Sequence, residues 1–282
     1  MKILLFGKNG QVGWELQRTL APLLGEVLAF DHAGLDLADP DRLREVIRQT
    51  RPDIIVNAAA YTAVDRAESE VDLAMAINAT APGIMAEEAR RLGALLVHYS
   101  TDYVFDGTKD GAYTEDDAPN PINVYGRSKL AGEQAIQAAG CRYLILRTSW
   151  VYGLRGHNFL LTIRRLAAVR DELRVVDDQI GAPTWSRLIA EATALLLAGA
   201  HSPIGLFHLA SQGEASWFRF ARSVLSLTEH RHPRLTPCTT AEYPLTALRP
   251  LNSRLDCRLL AQATGIALPD WARALELCVA AD

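Results

Sequence analysis

The 282-residue chain is 49% hydrophobic and 22% charged with a net charge of −4, an ordinary balance for a protein that buries a large core. Its acidic and basic residues are interspersed, which argues against a nucleic-acid partner, and no apolar run approaches the ~18–20 residues that span a membrane. Cys141, Cys238, Cys257 and Cys278 are scattered without C-x-x-C spacing. Free thiols in a reducing cytoplasm are therefore expected, with no disulfide framework and no metal site.

In chain order, MKILLFGKNG reads as a strand running into a glycine loop, not as a signal peptide. The first half alternates short strand patterns with longer helical ones, the mark of a parallel sheet with crossover helices. Strands are predicted at Lys2–Phe6, Glu26–Phe30, Asp53–Asn57, Leu95–Tyr99 and Tyr143–Arg147. Val12, Leu16, Leu20 and Leu23 recur at helical spacing between the first two. A helix is predicted from Asp72 to Leu92, ending at Gly93 and bent or interrupted at Pro82. Beyond Gly153 the alternation loosens into a helix near Phe159–Val169, a strand near Leu173–Val176, a helix at Ser186–Leu197 and a strand at Leu206–Leu209. The Pro- and Thr-rich stretch HPRLTPCTTAEYPLTALRP is predicted as loops between two helices. The expected class is α/β, a Rossmann-type doubly wound parallel sheet with a smaller α/β lobe. Residues 1–152 form the dinucleotide-binding domain, to which 185–210 returns, and 153–184 with 211–282 form the lobe.

Gly7, Gly10 and Gly13 follow an apolar strand and open a helix. Glycines there permit a tight turn, close approach of a pyrophosphate and close helix–strand packing, with helix N-terminal amides facing the anion. Asp31 closes the second strand, where a carboxylate accepts the ribose 2′-hydroxyl of NADH, whereas Lys8 would favour the 2′-phosphate of NADPH. Either cofactor remains open. Asp36 and Leu37 are expected beside the adenine. The small residues Ala58 to Ala60 in NAAAYTAVD let a cofactor lie against the backbone.

NVYGRSKLAG places Tyr125 and Lys129 one helical turn apart. A phenol has a pKa near 10, and bringing it toward ~7 takes roughly 4 kcal/mol of preferential stabilisation of the phenolate. An ammonium on the same helix face is expected to supply much of it. Ser100 and Thr101 end a strand on the same sheet edge and offer a hydroxyl opposite the tyrosine.

The segments GKNGQVG, NAAAYT, STDYVFDG, YGRSK and RTSWVYG resemble the extended branch of the short-chain dehydrogenase/reductase superfamily over nearly the whole chain. The resemblance implies a catalytic triad of Thr101, Tyr125 and Lys129. In it Tyr125 is the acid–base, Lys129 lowers its pKa and holds the nicotinamide ribose, and Thr101 hydrogen-bonds the reacting oxygen. It extends the cofactor contacts to Gln11, Val12, Ala59, Ala60, Tyr61 and Thr62. Thr101-Asp102-Tyr103 lacks the second carboxylate of the related 4,6-dehydratases. STDYVFDG, RTSWVYG, DDQIGAPT and RPLNSRLD together are similar to the dTDP-4-dehydrorhamnose reductases. That similarity implies reduction of a C4 ketone on a nucleotide sugar, with Asp102, Tyr103, Trp150, Gln179, Pro183, Arg249 and Asn252 contacting substrate in a nucleotide-sugar-binding lobe. Gly181, Thr184 and Ser253 share those stretches. Another nucleotide-sugar reductase or epimerase, or a catalytically silent regulatory relative, would carry many of the same motifs. His98 and His208, in apolar strand patterns, are expected as core histidines. Mg2+ at a dimer interface is a family analogy that these residues do not support: Glu15 fits, but Arg187 stands where a second carboxylate would be needed. A monomer or homodimer is expected.

Overall fold

The computed structural model describes residues 1–199, 202–228, 233–243 and 245–281. The expected segments 185–210 and 211–282 each contain residues outside this set, and so does the Pro- and Thr-rich stretch, whose described part is not all loop as expected: Arg234–Cys238 is a strand paired in parallel with Glu172–Val176.

A six-stranded, all-parallel sheet organises the first half. Its strands are β1 (Lys2–Phe6), β2 (Glu26–Phe30), β3 (Ile54–Asn57), β4 (Leu95–Thr101) and β5 (Arg142–Thr148), joined by a late strand at Gly205–His208. In space they run β2-β1-β3-β4-β5 and then the late strand. The order reverses between β1 and β3, so the carboxyl ends of those strands open a crevice. The central strands are buried on both faces, which explains their continuous apolar runs, whereas β2 at the edge is only partly covered.

Crossover helices are α1 (Gln11–Leu24), α2 (Pro40–Thr50), the short α3 (Val64–Ala67) and α4 (Val71–Met75), α5 (Ala81–Leu92) and α6 (Val124–Ala139). In α1 the inward stripe is Leu16, Leu20 and Leu24; Leu23, expected inside, is 56% exposed. The predicted Asp72–Leu92 helix is interrupted, at residues 76–80 instead of at Pro82 itself. There the chain widens into one π-helical turn, and Pro82 falls in the first turn of α5, where its missing N–H costs nothing.

The second half adds β6 (Val151–Tyr152), α7 (Phe159–Val169), β7 (Glu172–Val176), β8 (Ile180–Gly181), β9 (Thr184–Trp185) and α8 (Ser186–Ala198). After them come the late sheet strand β10 (Gly205–His208), β11 (Ala215–Ser216), α9 (Trp217–Ser226), β12 (Arg234–Cys238), α10 (Arg258–Thr264) and α11 (Trp271–Val279). Two apolar clusters flank the large sheet, one under α1 and α8 and one under α2 and α5. A third joins Tyr152, Leu160, Trp185, Phe220 and Leu275 from β6, α7, β9, α9 and α11. Leu260 and Leu268 pack in the sheet-flanking cluster, so part of 211–282 serves the first core as well. None of the four cysteines is in a disulfide. No helix among the described residues is long and apolar enough to cross a membrane.

Candidate active site

The glycine loop is a cradle that side chains would fill. Gly7 has φ +87°, and a Cβ on it would lie 2.7 Å from the Ala59 nitrogen; a Cβ on Gly13 would lie 2.0 Å from the Gly7 carbonyl oxygen. Gly10 caps α1 without any side-chain acceptor, and the first turn of α1 carries no acidic residue. Backbone N–H groups and the positive helix end therefore face the crevice, as a pyrophosphate requires. These residues fit a dinucleotide.

Beside the loop, a cleft of about 380 Å³ is lined by Gly7, Asp31, Asp36, Leu37, Ala59, Ala60, Tyr61 and Thr62, which brings most of the expected cofactor residues together. Asp31 accepts hydrogen bonds from the Gly34 N–H and the Asn9 amide, and Lys8 Nζ stands 3.6 Å away. These contacts, the Gly34 bond foremost, hold its carboxyl below the usual range. Val12 packs against the sheet core, and the Gln11 carboxamide bonds the Val151 carbonyl and the Asn158 amide, tying α1 to the chain after β6.

The sequence reading missed Asn78, on the π-helical turn. Its carboxamide accepts the Tyr61 N–H at 2.8 Å and donates to the Tyr61 carbonyl and to Ser128 Oγ, both at 3.0 Å, so it fixes the cofactor-side loop to α6. A conspicuous signal was absent; π-turns recur at functional sites.

At the carboxyl end of β4, Thr101 Oγ1 donates to Asp102 at 3.0 Å and accepts the Tyr103 N–H at 3.1 Å. Asn123 caps α6 by accepting the Gly126 N–H at 2.7 Å, which fixes the turn that carries Tyr125. The Tyr125 phenol meets the Thr101 hydroxyl. Burial pushes Tyr125 up to about 12, the Thr101 hydroxyl opposes that, and the Asp102 charge adds to it. The expected lowering by Lys129 is therefore corrected. The Lys129 amine is directed at β4, 2.6 Å from the Tyr99 carbonyl and 3.2 Å from His98 Nε2, and burial lowers it to about 8. Asp102 is buried and its carboxyl is raised to about 7 by desolvation, against the hydrogen bond from Thr101.

A second cleft of about 360 Å³ is lined by Tyr103, Phe159, Gln179, Trp217, Tyr243 and Arg249, among others. Trp150 has a left-handed φ of +46° and stacks on Trp217 with ring centroids 3.5 Å apart. Its indole N–H donates to Ser253, and Gly181 leaves it room. Gln179 is bridged between the Trp217 indole and Thr240. Pro183 and Thr184 are buried, Thr184 bonding the Ala182 carbonyl. Arg249 lines the cleft but forms a bidentate pair with Asp65 at 2.6 and 2.8 Å. Asn252, expected at the substrate, is instead committed to the Lys109 and Gly111 carbonyls and the Arg254 N–H, and braces a loop. Trp217 was missed because a tryptophan at a helix start reads equally as core.

His98 and His208 are buried. Among the described residues no group of three His, Cys, Asp or Glu side chains is placed to hold a metal ion, and Arg187 neutralises Glu15 at 3.2 Å.

The family model described as "RmlD substrate binding domain" matches residues 1–282. A dTDP-4-dehydrorhamnose reductase of Burkholderia thailandensis is 47% identical over 294 residues, covering 99% of this chain and 98% of the relative. One of Escherichia coli K12 is 48% identical, covering 96% and 94%. The crystal structure of the Bacillus anthracis dTDP-4-dehydrorhamnose reductase in complex with NADP superposes with a TM-score of 0.94 at 38% identity, covering 100% of this chain and 99% of that one. With the glycine cradle and the Thr101-Tyr125-Lys129 cluster at one sheet edge, these likenesses lead to one conclusion: the chain belongs to the dTDP-4-dehydrorhamnose reductase family.

Proposed function

We propose that the protein reduces the C4 ketone of dTDP-4-dehydro-6-deoxy-L-mannose to dTDP-L-rhamnose with NADPH or NADH. The observation that carries this is the meeting of Thr101 and Tyr125 hydroxyls at the end of β4, on the same edge as the glycine cradle. The nicotinamide supplies a hydride to C4. Tyr125 gives its phenolic proton to the carbonyl oxygen, and the single Thr101 hydroxyl hydrogen, which lies toward Asp102 in the structure, turns to that oxygen as negative charge develops there. The raised phenol suits this direction. It stays protonated across the neutral range, and an alkoxide whose alcohol is about as weak an acid as water (~16) takes its proton downhill by roughly 5 kcal/mol.

Gly7, Gly10 and Gly13 hold the pyrophosphate, Asp31 and Lys8 face the adenosine ribose, and Lys129 engages the nicotinamide ribose. On this reading the smaller lobe is built around the third apolar cluster, and the cleft lined by Tyr103, Gln179, Trp217 and Arg249 receives the nucleotide sugar. In this reading residues 1–152 with 185–210 form the cofactor domain, 153–184 with 211–282 the lobe, and the protein works in the cytoplasm as a monomer or homodimer. The test is turnover of dTDP-4-dehydro-6-deoxy-L-mannose, followed by nicotinamide absorbance with NADPH and NADH in turn. Substrate-dependent oxidation is expected with at least one of them; none with either overturns the assignment.

A further inference from the structure

Lys129 sits at the end of a buried chain of hydrogen bonds whose direction can be read atom by atom. Asn57, the last residue of β3, accepts the Ala59 N–H on Oδ1 at 3.2 Å, so its amide nitrogen is the group 3.0 Å from His98 Nδ1. An amide nitrogen offers only hydrogens, so Nδ1 is the accepting nitrogen of the ring. His98 is buried, and that burial keeps it neutral, so its one proton lies on Nε2. Nε2 stands 3.2 Å from Lys129 Nζ. An ammonium has three donors and no acceptor, so a charged lysine there would set donor against donor. A neutral amine fits: its lone pair accepts the Nε2–H while its own N–H donates to the Tyr99 carbonyl at 2.6 Å.

The other groups around Nζ do not reverse this. Glu133, one turn along α6, is held by Arg147 at 2.6 and 2.9 Å. Tyr125 on α6 stays neutral, the charge of Asp102 after β4, raised to about 7, is common to wild type and variants over the alkaline range, and the π-turn offers only Asn78, bonded to Tyr61 and Ser128.

We propose that Asn57 and His98 are positioning residues that hold Lys129 as a neutral amine against the end of β4, so that cofactor binding takes up one proton onto Lys129. This rests on the reading above that the charged Lys129 engages the nicotinamide ribose. The proton comes from solvent, and the ammonium leaves Nε2 to donate to the ribose hydroxyls.

The experiment is NADPH titration by calorimetry in two buffers of different ionisation enthalpy, with the affinity measured from neutral to alkaline pH. Wild type is expected to take up close to one proton at alkaline pH and to lose affinity as pH rises through the Lys129 titration. Asn57→Asp, nearly isosteric, takes the proton of His98 on Nδ1 and turns Nε2 into an acceptor. His98→Gln can turn its carbonyl to the ammonium. Both variants should lower the proton uptake and move the alkaline loss of affinity up by about one unit or more. A purely structural role would weaken binding alike at every pH. An unchanged uptake and midpoint in both variants overturns the relay. Lys129→Met separates the two readings. If it weakens NADPH binding roughly tenfold or more while Asn57→Asp moves nothing, only the relay fails; if NADPH affinity is unchanged, the role of Lys129 fails and the relay with it.

Discussion

Directly beneath the candidate active site, Glu133 of α6 and Arg147 of β5 form a bidentate pair at 2.6 and 2.9 Å, with both side chains almost wholly buried. The guanidinium also lies over the Phe105 ring, 5.1 Å from its centroid. Glu133→Ala leaves a cation with no counter-charge in a dry site. Breaking such a pair from one side costs about 3–5 kcal/mol, and at roughly 2–3 °C per kcal/mol for a chain of this size Tm should fall by on the order of 6–15 °C. The double variant Glu133→Leu/Arg147→Met replaces both charges by apolar groups and should recover most of the loss. Because Glu133 also favours the charged form of Lys129, the single variant should weaken NADPH binding most at alkaline pH. Scanning calorimetry of wild type, single and double variants at one protein concentration and scan rate provides the assay. A single variant within 2 °C of wild type would refute the buried-charge argument, and so would a double variant less stable than the single (~1 kcal/mol sets the margin).

Three further outcomes follow from local geometry. Gly13→Ala puts a methyl 2.0 Å from the Gly7 carbonyl, so the loop must open; NADPH affinity, followed by fluorescence, should fall by roughly tenfold or more, and unchanged affinity would show that the loop does not hold the cofactor. Asp102 has its folded pKa raised to about 7 from an unfolded value near 3.8, so its contribution to stability is complete below about pH 4 and lost as pH rises toward 7. Asp102→Asn should therefore gain stability relative to wild type between pH 5 and 8, by up to about 4 kcal/mol; a difference in Tm that stays constant over that range contradicts the shift. Gly181→Ala places a carbon 2.5 Å from the Trp150 ring and should disturb its stack on Trp217, changing tryptophan fluorescence and raising the KM for the nucleotide sugar; an unaltered KM would remove Trp150 from the substrate cleft.

The sequence announced the sheet because buried parallel strands such as Lys2–Phe6 are apolar on both faces; that strand and the partly covered edge strand Glu26–Phe30 appear with the predicted limits, and others differ by one or two residues at an end. Phe159–Val169 was equally clear, its apolar residues spaced on one face. The glycine cradle was legible because only glycine fits its contacts. Less visible were features set by long-range packing. The spacing in α1 admitted Leu23 or Leu24 as the fourth inward residue, and the sheet chose Leu24. Pro82, which cannot donate a backbone hydrogen bond, marks a disturbance in the helical pattern without placing it at the π-turn of residues 76–80. Asn252 and Arg249 carry donor groups suited to a diphosphate, yet the backbone carbonyls and Asp65 that occupy them are distant in sequence. The Tyr125–Lys129 spacing put both residues on one helix but left open where the lysine reached; its partners, His98 and the Tyr99 carbonyl, belong to another strand.

The central claim is that the Tyr125 phenol delivers the proton to the reduced ketone. Tyr125→Phe keeps the ring and removes only the hydroxyl, so its NADPH affinity should stay within about threefold of wild type, while single-turnover oxidation of bound NADPH by dTDP-4-dehydro-6-deoxy-L-mannose should slow by roughly a hundredfold or more. A Tyr125→Phe enzyme that oxidises NADPH at the wild-type rate would contradict the account.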